Sequence, residues 1–197
     1  MRVRVMAALL VLGLGSIDAM GQMVMSWPAA GTIAEPSKAF DAELSGVEGE
    51  MMGVVKAVPA EKFGFAPSAA IFVPSQKTEF ATVRTFAQQA AHVAQANYSF
   101  YAAVGGMKPD VDMAAVGKMT KKEDVVAALA GSFAFAHKAI ATITAANAFE
   151  VVKSGEGFET RATLAQFGVS HGFDHYGQMV EYLRMNGIVP PASVPKK

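Results

Sequence analysis

Cysteine is absent from the 197 residues. Its absence excludes disulfides, thiolate metal ligands and a cysteine nucleophile. Charge is sparse and balanced, with 17 Lys and Arg against 17 Asp and Glu, and no basic block anywhere. That balance points to neither a nucleic-acid-binding surface nor an acidic tail. No apolar run approaches the roughly 20 residues of a membrane-spanning helix, so stable membrane insertion is not expected. No repeat of fixed period is visible. The chain has the length of one domain, with enough apolar sequence for a sizeable core.

The amino terminus has a different character. Arg2 and Arg4 precede an apolar run at 5–14, and the small residues Ala19 and Gly21 follow. A basic start, a short apolar stretch and a small-residue cleavage site are the anatomy of a secretory signal peptide, here residues 1–21. No cysteine follows the run, so lipid attachment is excluded. Removing it takes away Arg2, Arg4 and Asp18, leaving 15 positive and 16 negative side chains. The mature chain is expected to be nearly neutral and periplasmic or secreted. Residues 22–36, with Trp27-Pro28 and Glu35-Pro36, lack periodicity and read as a flexible leader.

From there to about residue 192 the apolar residues recur at helical spacing. Ser37 is a fair N-cap, and Phe40, Leu44, Val47, Met51, Val54 and Val58 form a first stripe, ended by Pro59. Gly46, Gly49 and Gly53 lie on another face; a close neighbour and local helix weakness both account for them. Residues 60–77 form an ordered loop. A second helix is expected over 79–104 on Val83, Phe86, Ala90, Val93, Asn97, Phe100 and Val104, closed by Gly105-Gly106. Residues 107–120 read as a long loop. A third helix is expected over 121–146 on Val126, Leu129, Phe133, Ala136, Ile140 and Ile143. A Gly-containing loop at 153–159 leads to a fourth over 160–186, closed by Gly187 and Pro190-Pro191. The expected fold is all-α, a four-helix bundle over 37–192 with a short tail at 193–197.

The chemistry concentrates in the last helix. Leu164, Gly168, His171, His175, Gln178 and Tyr182 recur at steps of three and four, a stripe that normally faces a core. His171 and His175 are one turn apart on that stripe, and two imidazoles so spaced can converge on one transition-metal ion. The zincin motif HExxH fails, because Gly172 stands where Glu is needed. The inverted motif HxxEH has only the shorter Asp174, so a peptidase is disfavoured. Asp174 points about 100° away from His175, so it is a candidate to orient a histidine or accept a proton rather than to ligate. Gln89 and Gln178 have two open readings: orienting a metal-bound water, or satisfying one another.

Three segments in order resemble the DinB/YfiT-like family. Residues 57–67 (AVPAEKFGFAP) resemble its connection after the first helix. Residues 84–94 (RTFAQQAAHVA) resemble its second-helix motif with a single histidine. Residues 171–178 (HGFDHYGQ) with 182–191 (YLRMNGIVPP) resemble its closing signature. The likeness spans about 36–192. It implies a four-helix bundle, often dimeric, whose three histidines bind a divalent metal. The implied ligands are His92, His171 and His175; His137 lies outside the motif and reads as a structural or surface histidine.

Nitrogen ligands suit Zn or Ni first, then Fe, Co or Mn, and spacing does not choose among them. Three histidines with an open position suit Lewis-acid chemistry on an unidentified small molecule, of hydrolase or transferase type. Some relatives are thiol-dependent transferases or isomerases; export separates this chain from the cytoplasmic thiol pool and weighs against that branch. The alternative is a bundle that binds a metal or small ligand without turnover, which the lack of an obvious general base beside the histidines supports. A purely structural dimer is the third reading.

Overall fold

The computed structural model describes residues 29–154 and 157–195. The expected signal peptide, and the leader as far as residue 28, lie outside them. The chain divides after Thr32. Of the first unit the described part is a turn, in which the Thr32 N–H donates to the Ala29 carbonyl at 3.0 Å. The second unit, residues 33–197, carries five α-helices: α1 (Pro36–Ala57), α2 (Phe86–Gly105), the single turn α3 (Met113–Val116), α4 (Lys122–Ile140) and α5 (Arg161–Met185). A two-stranded antiparallel hairpin, β1 (Val151–Ser154) and β2 (Gly157–Thr160), precedes α5 and pairs Val151 with Thr160. The fold is mostly helical. Among the described residues, no helix is long and apolar enough to cross a membrane.

The four long helices follow the apolar stripes. α1 and α2 each pack against both α4 and α5. Leu44, Val47, Met51 and Val54 of α1 meet Leu129, Phe133, Ala136 and Ile140 of α4 in one buried cluster. Burial on this scale, at roughly 25 cal/mol per Å² of apolar surface, is the main stabilising term. The α1 terminus is also tied across: Lys122 Nζ donates to the carbonyls of Lys56 at 3.0 Å and Val58 at 2.6 Å.

Several boundaries differ from the sequence expectation. α1 starts at Pro36, whose fixed φ suits a first helical position, so Ser37 lies inside the helix and caps nothing. α2 starts at Phe86 rather than 79. Thr85 and Gln88 form a reciprocal capping box, and the next two amides are taken by chain from the preceding loop, Phe86 N–H donating to Phe65 O at 2.8 Å and Ala87 N–H to Phe63 O at 2.9 Å. Such a cap satisfies the first-turn donors and stops the helix from extending backwards. Val83 is consequently exposed, not core.

α4 ends at Ile140, not 146. Beyond it, Thr142 Oγ1 donates to Ala139 O at 2.7 Å and Asn147 Oδ1 accepts from Thr144 N–H at 2.7 Å, side-chain bonds that compete with helix continuation. The loop at 107–120 contains α3, started by Asp112, whose Oδ1 accepts from the amides of Ala114 and Ala115. The loop at 153–159 is instead most of the hairpin.

Two glycines let α5 approach its neighbours closely. A Cβ at Gly168 would stand 2.6 Å from the Tyr101 hydroxyl oxygen on α2, and one at Gly172 would stand 2.8 Å from Val47 Cγ2 on α1. Tyr101 is fully buried and donates its hydroxyl proton to Ala165 O at 3.2 Å. Both contacts flank His171 and set the depth at which α5 holds it.

Candidate metal centre

α2 and α5 lie side by side, and their facing stripes bring three histidines together. His171 and His175 stand one turn apart on α5, and His92 faces them from α2. His175 is buried; His92 and His171 are half-buried. The His171 Nε2 atom lies 3.2 Å from His92 Nε2 and 3.2 Å from His175 Nε2. One ring nitrogen from each residue lies within 4.8 Å of the others. Nitrogens each about 2.0–2.1 Å from a tetrahedral ion are about 3.3 Å apart, so the spacing suits one shared ion.

The protonation pattern supports the same arrangement. Desolvation lowers the His92 pKa to about 4, helped by the charges of Arg84 and His171. Desolvation also lowers that of His175 to about 4, with His171 and His92 adding to it. His171 is lowered by desolvation, opposed in part by Asp174. All three imidazoles are therefore neutral at pH 7, the state in which histidine ligates.

Three further side chains fix how His175 faces the cluster. Gln178 Nε2 donates to Asp174 Oδ2 at 3.0 Å. Gln89 Nε2 donates to Gln178 Oε1 at 2.8 Å. Gln89 Oε1 lies 2.5 Å from His175 Nδ1. An ionised carboxylate can only accept, so Asp174 turns the Gln178 amide group toward itself and presents the Gln178 oxygen to Gln89. The Gln89 oxygen in turn faces His175, which must carry its proton on Nδ1. The Nε2 lone pair is then left pointing at His92 and His171. Without an ion the Nε2 atoms are poorly satisfied: His171 Nε2 stands between those of His92 and His175, and one proton on it can serve only one of the two contacts. A cation takes all three lone pairs at once, and the donor set fits one.

The structure brings His92, His171 and His175 together in one cluster. Gln89 and Gln178 do bond to one another, and Gln89 also holds His175. Asp174 reaches His175 through both amides instead of directly. Gln178 is exposed at the rim, not part of the core stripe. His137 is remote from the triad and sits between two α1 carboxylates, 2.6 Å from Asp41 Oδ1 and 3.0 Å from Glu48 Oε2.

Sequence reasoning missed two neighbours of the triad. Phe100 packs edge-on to His171 with ring centroids 5.4 Å apart, and Phe167 packs on Phe100 at 5.2 Å. Phe100 stands on the α2 stripe eight residues after His92, which was a readable signal; Phe167 precedes His171 by one turn.

The match to known proteins agrees with this geometry. Residues 43–179 match the sequence profile of the DinB superfamily. The chain belongs to the DinB superfamily. Among solved structures it is similar to a DinB-like protein from Bacillus cereus ATCC 10987, with a TM-score of 0.62, 12% identity, and coverage of 78% of this chain and 95% of that one. At that identity the likeness is one of fold. No curated protein matches. The residues matched by the DinB-superfamily profile include His92, His171 and His175.

Proposed function

We propose that this DinB-superfamily chain is an exported, divalent-metal-dependent enzyme of hydrolase or transferase type acting on a small molecule. His92, His171 and His175 hold the ion. The observation that carries the reading is the meeting of three neutral imidazoles with their Nε2 atoms 3.2 Å apart along the sequence His92–His171–His175. Zn or Ni suits this donor set first, then Fe, Co or Mn. A bound ion of this kind supplies Lewis acidity, lowering the pKa of water to about 7 or polarising a substrate oxygen. The chain's own part is to hold the ligands. Gln89, oriented by Gln178 and Asp174, keeps His175 in the ligating tautomer, and Phe100 and Phe167 shield one side of His171 from water.

A second reading, a metal- or ligand-binding bundle without turnover, draws on one observation. The carboxylate nearest the triad in sequence, Asp174, is engaged by Gln178, which leaves the general base unassigned. Elemental analysis by mass spectrometry separates the readings from a purely structural role. Purified protein is expected to hold about one transition-metal ion per chain, lost in a His171→Ala/His175→Ala variant that keeps its helical circular dichroism. A folded wild type without metal after incubation with Zn and Ni would remove both. Screening the loaded protein against ester, amide and thiol-transfer substrates then divides enzyme from binder. Export by residues 1–21 is tested by the amino terminus of protein recovered from the periplasmic fraction; a terminus near Gln22 is expected, and an intact Met1 would refute it.

A further inference from the structure

Beside the triad is a cavity of about 370 Å³ whose wall includes Arg84, Gln88, His92 and Gln95. That volume is in the range of small-molecule sites. Its lining is polar, it shares His92 with the metal centre, and it contains no acidic side chain among the described residues. Arg84 is exposed and makes no ion pair and no side-chain hydrogen bond among the described residues. Its backbone is held, since Tyr182 Oη donates to Arg84 O at 3.0 Å and Thr85 caps α2 immediately after it. Thr82, also in the wall, has φ +68°, a costly conformation for a β-branched residue.

The charge pattern gives this cavity its meaning. The three ligand imidazoles are neutral, so a divalent ion among them keeps its full charge. The guanidinium adds another positive charge close enough to bear on His92, His171 and His175 alike. Asp174, which accepts from Gln178, also bears on His171 and His175, but its single negative charge offsets only part of the ion's and the guanidinium's charge. The net positive charge that remains is relieved by an anion between the ion and the guanidinium.

We propose that Arg84 and this cavity form an anion subsite of the metal centre, so that its ligand carries a carboxylate or phosphate-type oxyanion. The inference rests on the metal-centre reading and narrows its substrate class. Arg84 presents a planar fork of N–H donors suited to two oxyanion oxygens, while Gln88, whose Oε1 is taken by the Thr85 amide, offers its side-chain N–H on the same wall. The reacting group of the ligand then lies toward His92 and the ion.

The test is calorimetric titration of the zinc-loaded protein with phenylphosphonate, benzoate and neutral benzamide, with zinc content measured in the same samples. Wild type, Arg84→Gln and Arg84→Lys are compared. Loss of a charge-assisted pair is expected to weaken the anionic probes about tenfold or more in Arg84→Gln, with partial recovery in Arg84→Lys and no change for benzamide. The stronger of the two anionic probes identifies the oxyanion. Equal affinity of wild type and Arg84→Gln at equal zinc content would overturn the subsite and leave the metal centre standing. If the protein takes up no zinc, the metal reading fails, and the subsite is decided separately on metal-free protein. There a phenylphosphonate-dependent shift of the Arg84 Nε–H resonance in NMR supports it, and an unmoved resonance overturns it.

Discussion

Gln89 Oε1 lies 2.5 Å from His175 Nδ1, although the two residues belong to different helices and are 86 positions apart. The bond has a direction, because Asp174 orients Gln178 and Gln178 orients Gln89. Replacing Gln89 by Leu removes the acceptor and frees His175 to adopt the other tautomer or to rotate. The expected result is a zinc affinity about 10–100-fold weaker, the usual effect of losing a partner of a ligand histidine, with the fold retained. Competition with a chromophoric chelator measures it. Asp174→Ala should give a smaller loss in the same direction, since two amides lie between it and the ring. Unchanged affinity in both variants would show that the hydrogen-bonded chain only satisfies buried polar groups and does not set the ligand.

Acid should destabilise the metal-free protein through the triad. His92 and His175 have folded-state pKa values of about 4, against an ordinary 6.5. Above about pH 6.5 both folded and unfolded states are neutral, and stability is at its full value. As pH falls from there toward 4 the unfolded chain takes up protons that the folded chain refuses, so stability is lost. Urea denaturation across this range measures the loss, and a His92→Leu/His175→Leu variant should flatten it. Zinc at a hundred times its dissociation constant should add about 2.7 kcal/mol at pH 7.

Much of this architecture is legible in the sequence because burial repeats at helical spacing. Leu44, Val47, Met51 and Val54, or Leu129, Phe133, Ala136 and Ile140, mark their faces without further help. The missed boundaries are those where side chains compete with the backbone. Thr85 and Gln88 have the spacing of a capping box, a signal that outranks the exposed Val83 as a helix start. Thr142 and Asn147 unwind the end of α4 although Ile143 continues the stripe. Val151-Val152 with Gly155 was a modest strand-and-turn signal. At the site, His171 and His175 follow from spacing, and His92 from family resemblance. The direction of the Asp174–Gln178–Gln89 chain does not, since it depends on which end of each amide meets its neighbour across two helices. Nor does the position of Arg84 beside the triad, which requires knowing that α2 starts just after it.

His137 should contribute stability with the opposite pH dependence. Its Nδ1 and Nε2 meet Asp41 and Glu48 at 2.6 and 3.0 Å, and only the imidazolium can donate at both. Desolvation by itself would lower the pKa, but the bonds and charges of Asp41 and Glu48 raise it. Its contribution is therefore full below about pH 6.5 and is lost as pH rises through the raised folded value. His137→Gln should cost about 1 kcal/mol at pH 5.5, at the low end for charged hydrogen bonds because both carboxylates reach solvent. The gap from wild type should close at alkaline pH. A cost independent of pH would mean that the ring acts only by packing between α1 and α4.

Glycines in α1 and α5 should respond to alanine in opposite senses. At Gly168 a methyl group would meet the buried Tyr101 hydroxyl at 2.6 Å and Cζ at 2.8 Å, and Tyr101 is anchored on Ala165 O. Overpacking of this kind costs about 1–3 kcal/mol, and the better helix propensity of Ala returns about 1, so Gly168→Ala should be destabilising on balance. At Gly49 the added methyl meets nothing within 4 Å, and the site is exposed. There the propensity acts unopposed, and Gly49→Ala should stabilise by about 0.5–1 kcal/mol in chemical denaturation. A loss of stability at Gly49 would instead show that the α1 face bearing Gly46 and Gly49 is covered in solution. The simplest cover is a second copy of the chain, and sedimentation of the wild type against the Gly49→Ala variant would then show the dimer weakened by the same substitution.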